Sequence, residues 1–465
     1  MLTYQQALKA ILDNCQPLAS ETISLGNSLR RVLAAPIKAN FDLPQFNNSA
    51  VDGFGVLVED LVKASPENPK SLVVIGEMTA GADPSANIAN TRINPGQCIR
   101  ILTGAPVPGT VEAVVMKEVC KEKREEKAQA RGNELESETG PESEKREEDG
   151  PPETIDVCAS ARIGENIRLQ GEEIEAGATV LQPGTVITPP VLGLIATLGI
   201  TEFSVHRSPR VAVIATGDEL IEPGQPLAEG QIYNSNTYAL VAALNALGVT
   251  EVKRFHAKDN REETTRIMQE ALAFADIVIS AGGVSVGEYD FIKDVCEEQG
   301  VETIFWRIAI KPGKPVYFGV NRKSKAGQLV FGLPGNPVSA LVTFNLFVKP
   351  VIARLQGAVN IKRLFQAKAA RNLKKKAGRL DFVRGQLSLF NSGESNHGQT
   401  NGSKSPNESR GTKQAIDITV MPTLGQESHM LTGLAKADCL MHFAQELEFL
   451  PEGEYLPVEL LNWFD

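Results

Sequence analysis

Three apolar runs, residues 211–215, 277–280 and 329–332, each stop at a polar loop that carries glycine. The loops are Thr216-Gly217-Asp218-Glu219, Ala281-Gly282-Gly283-Val284-Ser285-Val286-Gly287-Glu288 and Leu333-Pro334-Gly335-Asn336-Pro337. Glycine lets a ligand approach the backbone, hydroxyls donate to anionic oxygens, and carboxylates hold hard cations, so together they suit a phosphorylated ligand and its metal. In an open parallel α/β sheet such loops gather outside the carboxyl ends of the strands, where free N–H groups lead into a helix N-terminus. Glu219, Asp259 and Asp290 then converge on one sheet edge, an arrangement that suits a hydrated magnesium ion bridged to phosphates. The competing readings are a plain strand-to-helix connection for the glycine loop and helix caps for the acids, with Asp218 the better cap in its loop.

Cations come from Trp306-Arg307-Ile308-Ala309-Ile310-Lys311-Pro312-Gly313-Lys314-Pro315. Two lysines flank a stiff Pro-Gly turn, which holds both ammonium groups near the sheet edge; the alternative is an exposed, solubilising turn. The chain has 465 residues with 47 basic against 57 acidic side chains, a formal net charge of -10. That balance disfavours non-specific nucleic-acid binding, whereas a local pair of lysines still fits a small anionic substrate.

The elements that must place these residues follow from periodicity. Between 210 and 355 strand and helix patterns alternate. Asn234-Ser235-Asn236 offers caps to a helix over 238–247 that Gly248 stops, a strand covers 252–255, and a helix ends near 275 before the run at 277. Asn336-Pro337 reads as N-cap and first-turn proline of a helix to 348. Strands separated by helices imply right-handed crossovers and a doubly wound parallel sheet. After 359, alternation such as Ala415-Ile416-Asp417-Ile418-Thr419-Val420 argues for a small antiparallel β domain or barrel. Before 208, short strands, glycine turns and a helix over 188–198 indicate irregular α+β subdomains.

Two polar stretches interrupt this pattern. Residues 121–152, including Glu147-Glu148-Asp149-Gly150, lack apolar periodicity and are expected to be a disordered insertion between strands at 113–119 and 154–159. Residues 391–412 form a second polar insertion, and both read as tolerated surface additions. With 42% hydrophobic residues the chain can still fill sizeable cores. Its six cysteines, Cys15, Cys98, Cys120, Cys158, Cys296 and Cys439, make no Cys-x-x-Cys pair. A reduced cytosolic protein without structural zinc is therefore expected. Tyr4, Leu8, Ile11 and Leu12 share a helical face, but Lys9 and Asp13 break any signal-peptide core, and no other run approaches the roughly 20 apolar residues of a membrane helix.

These motifs resemble those of the MoeA family, the molybdopterin molybdenumtransferases related to gephyrin-like two-domain enzymes. The resemblance includes Leu43-Pro44-Gln45-Phe46-Asn47-Asn48-Ser49-Ala50-Val51-Asp52-Gly53-Phe54 and Arg100-Ile101-Leu102-Thr103-Gly104-Ala105-Pro106-Val107-Pro108, then the loops at 216–220, 282–290, 311–315 and 333–339 in the family's order. It implies a multidomain α/β and β protein. Residues 1–38 with 169–207 would form a linker and dimerisation subdomain, and 39–168 a mixed α+β subdomain. Residues 208–358 would form a MogA-like molybdopterin-binding α/β domain, and 359–465 the C-terminal β domain. It implies insertion of molybdate into adenylylated molybdopterin with release of AMP, dependent on Mg2+. The site would lie in a cleft between the α/β domain of one subunit and the β domain of the other in a cytoplasmic homodimer. Carried over by position, Asp52, Glu219, Asp259, Asp290 and Lys311 are expected as catalytic residues, with Glu219, Asp259 and Asp290 on the metal. Thr103, Glu173, Gly282, Gly283, Ser285, Lys314, Pro315, Ser339, Arg384 and Ser428 are expected to bind substrate. Transient partners would be the adenylylating enzyme and molybdoenzyme chaperones; neither nucleic acid nor membrane is implied. Glu173 stands where the family often has Asp, and Arg307 where lysine is usual, a point donor exchanged for a planar fork. Alternatives are a molybdopterin adenylyltransferase acting with ATP, or a non-catalytic molybdopterin-binding scaffold.

Overall fold

The structure, a computed structural model, describes residues 1–81, 92–123, 153–284, 291–323, 327–358, 364–391, 416–461 and 463. Most of the two polar stretches, together with Ser285 and Asp290, lies outside the described residues. The chain divides into two units, Pro36–Leu181 and a second built from Met1–Ala35 with Gln182–Asp465.

In the first unit a six-stranded sheet runs in the order Ala113–Met116, Gly53–Val56, Gln97–Ile101, Lys70–Met78, Thr154–Val157, Cys120–Lys123. Phe54, Leu72, Cys98, Val115 and Ile155 form its core. The sequence expectation of one strand over 113–119 is corrected: it ends at Met116, a 3-10 turn occupies Lys117–Val119, and Cys120–Lys123 form a strand of their own against Thr154–Val157. Alternate burial of the partner strand, with Ile155 and Val157 inside, draws the first residues of the charged stretch into the sheet.

The second unit contains the α/β sheet, in the order Val252–Ala257, Val211–Thr216, Ile277–Ala281, Gln328–Leu333, Tyr317–Asn321, Glu302–Trp306. The first four strands are parallel and the last two antiparallel, so the doubly wound expectation holds for the part that carries the loops. Side chains alternate between two cores: Val211 and Val213 face one, Ala212 and Ile214 the other. Burial on both faces explains why these strands read as continuous apolar runs rather than alternating ones. Ser235–Ala246 lies on the first face, and Arg261–Phe274 and Ile292–Glu298 on the second, inserting Ile267, Met268, Ile292 and Val295.

The helix Pro337–Leu355 runs on past 348 through a π segment at Phe344–Val348. Its 19 residues are long and apolar enough to cross a membrane by length and composition, contrary to the sequence reading; 83% of that window is buried, so its apolar surface is spent on the core of this unit. Tyr4–Leu12 packs there too, burying Tyr4, Ala7, Leu8 and Ile11.

The C-terminal strands Leu364–Ala369, Leu380–Asn391, Ile416–Pro422, Cys439–Phe443 and Tyr455–Leu460 close into a barrel, because Leu380–Asn391 pairs with both Ile416–Pro422 and Cys439–Phe443. All pairings are antiparallel except that of Leu364–Ala369 with Ile416–Pro422.

One ion pair anchors the α/β sheet. Arg207 donates through both terminal nitrogens to Asp276, at 2.7 and 2.8 Å, and the Arg210 N–H adds a third bond at 2.8 Å. Burial works against the Asp276 carboxylate, but these donors and the guanidinium charge hold it below its ordinary range. Asp276→Ala is expected to cost about 3 kcal/mol, because it strands the Arg207 charge at a partly buried site. A depressed acid stabilises above its unfolded pKa of about 3.9 and loses that contribution as pH falls through its folded value. Thermal melts of the wild type and Asp276→Asn should therefore differ most near neutrality and converge below about pH 4.

Candidate functional site

Two cavities open at the carboxyl edge of the α/β sheet, of about 580 and 730 Å3, and share Pro315, Pro334 and Asn336 as lining residues.

The larger is lined by Thr216, Gly217, Glu219, Asp259, Gly282 and Gly283. Here the sheet dictates placement: Val211–Thr216 lies between Val252–Ala257 and Ile277–Ala281, so the loops after all three strands emerge side by side. Gly282 has φ +106°, and a Cβ there would come within 2.6 Å of Thr216 Oγ1. Its N–H donates to Leu333 O at 3.0 Å, extending the parallel pairing one residue beyond the strand. Trp306 Nε1 donates to Val284 O at 2.9 Å and braces the same loop.

Asp218 and Asp259 exchange bonds across the loops, each backbone N–H donating to the other's carboxylate at 3.2 and 3.3 Å. The expectation that Asp218 caps a helix is corrected. Asn234 caps Ser235–Ala246 and Asn260 caps Arg261–Phe274, each standing at the residue before its helix, whereas Asp218 precedes no helix and accepts from Asp259 N–H. Glu219 and Asp259 face one cavity; Asp290 and Ser285 lie outside the described residues. Among the described residues no group of three His, Cys, Asp or Glu side chains is placed to hold a metal ion.

The smaller cavity is strongly cationic. Lys311, Lys314, Arg371, Lys374, Lys375, Arg379 and Arg384 line it against Asp381 and Glu427. Ser339, Pro315 and Ser428 complete the residues expected from the sequence. Arg384, on Leu380–Asn391, is 1% exposed. Its Nη2 donates to the carbonyls of Gly425 and Glu427 at 2.9 and 3.4 Å, and its Nε has no partner among the described residues. Burial lowers its pKa, offset only by the field of Glu427. A buried guanidinium bonded to carbonyls rather than to a carboxylate retains its affinity for an oxyanion. Gln426 fixes the arrangement, accepting from Arg384 N–H at 3.1 Å and donating to Arg384 O at 2.9 Å.

The α/β domain and the barrel meet directly in this cavity. Ile310 and Lys311 pair in parallel with Leu380 and Asp381, so sheet bonding sets Lys311 beside the strand that bears Arg384. The resemblance implied contributions from two different subunits; within one chain both domains already line a single cavity, because that pairing stitches them together. Lys311 and Lys314 are exposed, and Lys311 Nζ lies 3.9 Å from Asp381 Oδ2. Burial raises the Asp381 pKa, against the lowering fields of Lys375, Lys311 and Arg379. The N-cap assignment of Asn336 is right in position, but its side chain does not cap: Nδ2 donates to Ser428 Oγ at 3.0 Å while Val338 N–H donates to Ser428 O at 3.2 Å. Ser428 is thus held by the start of the helix Pro337–Leu355. Arg307, with φ +74°, stacks on Trp306 at 4.0 Å from the ring centre and lines neither cavity.

The remaining expected residues belong to the unit Pro36–Leu181. Asp52 accepts from Thr103 Oγ1 and N–H, both at 2.7 Å, and these bonds lower its pKa. Glu173 lines a cavity of about 720 Å3 with Pro44, Asn48, Arg168 and Glu172. Sequence reading missed Gln426, Asp381, Trp306 and the cations at 371–379. The run Arg371-Asn372-Leu373-Lys374-Lys375-Lys376 in an acidic chain was the available signal for the last of these.

The same three-part order is found in known proteins. Residues 2–199 match the MoeA N-terminal region (domain I and II), 212–354 a probable molybdopterin binding domain, and 410–461 the MoeA C-terminal region (domain IV). A molybdopterin molybdenumtransferase of Haemophilus influenzae is 36% identical over 466 residues, covering 99% of this chain and 99% of its own. That of Staphylococcus epidermidis is 35% identical over 357 residues, 77% of this chain and 76% of its own. The crystal structure of the molybdopterin biosynthesis moeA protein from Pyrococcus horikoshii OT3 aligns with a TM-score of 0.70 at 26% identity, covering 99% of this chain and 100% of that one. Identity above 30% along almost the whole length, with the three regions in their order, establishes that this chain belongs to the MoeA family of molybdopterin molybdenumtransferases.

Proposed function

We propose that this chain inserts molybdate into adenylylated molybdopterin and releases AMP, in the last assembly of the molybdenum cofactor. The observation that carries this reading is Arg384, a buried guanidinium bonded, among the described residues, only to carbonyls, lining a cavity that shares Pro315, Pro334 and Asn336 with a glycine-lined neighbour. An oxyanion held by Arg384, Lys311, Lys314, Ser339 and Ser428 would lie next to a phosphoanhydride at Gly282 and Gly283. Holding both reactants in adjoining cavities makes the encounter effectively intramolecular.

Glu219 and Asp259 are hard oxygen donors at neighbouring strand ends beside the phosphate loop, which fits Mg2+, an ion that takes one or two carboxylates and completes its shell with water and phosphate. When bound, Mg2+ would offset negative charge on the anhydride. Asp290 would be the third carboxylate by resemblance, and Ser285 an added hydroxyl. The chain's own groups act by orientation and charge: the loop amides receive phosphate oxygens, while the lysines and Arg384 hold the anion. Asp52, Thr103 and Glu173 are assigned to the site by resemblance alone, as are a homodimer and transient contact with the adenylylating enzyme and cofactor chaperones; a cytoplasmic location is inferred from the resemblance together with the cysteine spacing.

Measuring AMP release from adenylylated molybdopterin by the purified chain, with and without molybdate, tests the proposal. Molybdate-stimulated release that stops on chelation of Mg2+ is expected. Tight binding of the adenylate with no release at any molybdate concentration would refute it.

A further inference from the structure

One wall of the larger cavity is not used by the chemistry above. Ile232, Tyr233 and Asn236 line it, at the entrance to the helix Ser235–Ala246. Ile232 and Tyr233 are 55% and 45% exposed, large apolar side chains turned outward at a cavity rather than into a core. The Tyr233 hydroxyl donates to Gln225 O at 3.1 Å, which pins the ring of a side chain that lines the cavity and is still half exposed. A pinned aromatic face is a surface on which a flat heterocycle stacks with little ordering cost.

Asn236 supplies the directional partner. Its Nδ2 donates to Gly335 O at 2.6 Å. A carbonyl only accepts, so that bond decides which end of the amide is nitrogen and leaves Oδ1 as the free end. Oδ1 is buried and has no donor among the described residues. Gly335 in turn abuts the phosphate loop, where its added Cβ would lie 3.7 Å from Gly282 Cα. An oriented acceptor is therefore set a short way from the phosphate loop, beside an apolar and aromatic platform.

We propose that Ile232, Tyr233 and Asn236 form a ring subsite that takes a flat, amino-bearing heterocycle of the substrate, with the amino N–H donated to Asn236 Oδ1. The inference rests on the reading of the substrate as an adenylylated pterin, which carries two such amino groups, one on adenine and one on the pterin. A ring bearing an oxo group at that position would set oxygen against oxygen and leave the buried Oδ1 unpaired, the condition under which polar sites discriminate most strongly.

Isothermal titration of the full chain with two ligand pairs tests this. The first is AMP against IMP; the second is pterin against lumazine, in which an oxo group replaces the amino group. In one pair the amino ligand is expected to bind about tenfold or more tightly, and that pair identifies which ring is read. Asn236→Ala should abolish the difference by weakening the amino ligand alone, whereas Tyr233→Ser should weaken both members of the pair equally. Equal affinity within both pairs for the wild type, no measurable binding of any of the four, or full discrimination retained by a folded Asn236→Ala would overturn the proposal. The wild-type comparison needs no variant, so misfolding of Asn236→Ala leaves the test decisive. Molybdate-dependent AMP release on the same preparation reports separately: turnover without amino discrimination removes the ring subsite alone, and discrimination without turnover removes the insertion reading alone.

Discussion

Replacing Arg384 by methionine is expected to lower molybdate-dependent AMP release by about 10^2- to 10^3-fold, the usual loss when a preorganised donor to a reacting oxyanion is removed. The melting temperature should nevertheless stay level or rise. Arg384 is buried without a carboxylate bonded to it, so the folded chain carries a desolvated charge that two carbonyls and the field of Glu427 offset only in part. Methionine keeps the apolar volume of the stem and removes that charge. Arg384→Lys should also lose most activity, because an ammonium is a point donor and does not reproduce the fork directed at Gly425, Glu427 and the cavity. Steady-state kinetics in molybdate, paired with thermal melts, check both halves. Parallel losses of activity and stability would mean that Arg384 is structural, and the anion would have to be sought at the lysines.

Gly282→Ala carries the second large effect. The residue has φ +106°, and an added Cβ would lie 2.6 Å from Thr216 Oγ1 and 3.3 Å from Thr216 O. Relieving that overlap means moving the loop, the strand end at Thr216, or both, and these line the cavity with Glu219 and Asp259. We expect a stability loss of about 1–3 kcal/mol and at least about a hundredfold loss of AMP release, since a displacement near 1 Å at a reacting group is enough for that. Gly224→Ala is the matched control: φ is +94°, but nothing lies within 4 Å of the added atom, so only the backbone term applies. The double change Thr216→Ala with Gly282→Ala should recover part of the lost stability, because the nearer contact is to the hydroxyl. If Gly282→Ala behaves like Gly224→Ala, the loop has room that the structure denies it.

Which parts of this were readable beforehand follows the range of the forces involved. The strand runs at 211–215, 277–280 and 329–332 were legible because burial on both faces leaves no polar alternation. Asn234, read as a cap, acts as one through a contact only three residues long. The N-terminal helix buries Tyr4, Leu8 and Ile11 on the face that period 3.6 marks. Where reading failed, a distant partner had intervened. Asp218 is taken by the Asp259 N–H and not by a helix, and Asn336 turns from its own helix to Ser428, 92 residues away. The apolar helix Pro337–Leu355 escaped notice as a single element because a π segment at Phe344–Val348 carries it on into Lys349–Leu355.

Sequence alone determined the chemistry on offer: glycine loops after parallel strands, carboxylates beside them, two lysines about a Pro-Gly turn, and motifs in the order of the MoeA family. Those are local, since a strand end, a turn and a cap are each specified within a few residues. Tertiary structure alone decided which of these groups act together. The parallel pairing of Ile310–Lys311 with Leu380–Asp381 joins residues 70 apart and brings cations scattered along the chain to the lining of one cavity. Burial of Arg384 and the free acceptor on Asn236 depend on what does not fill the space around them, and no pattern of neighbours along the chain encodes an unmet hydrogen bond.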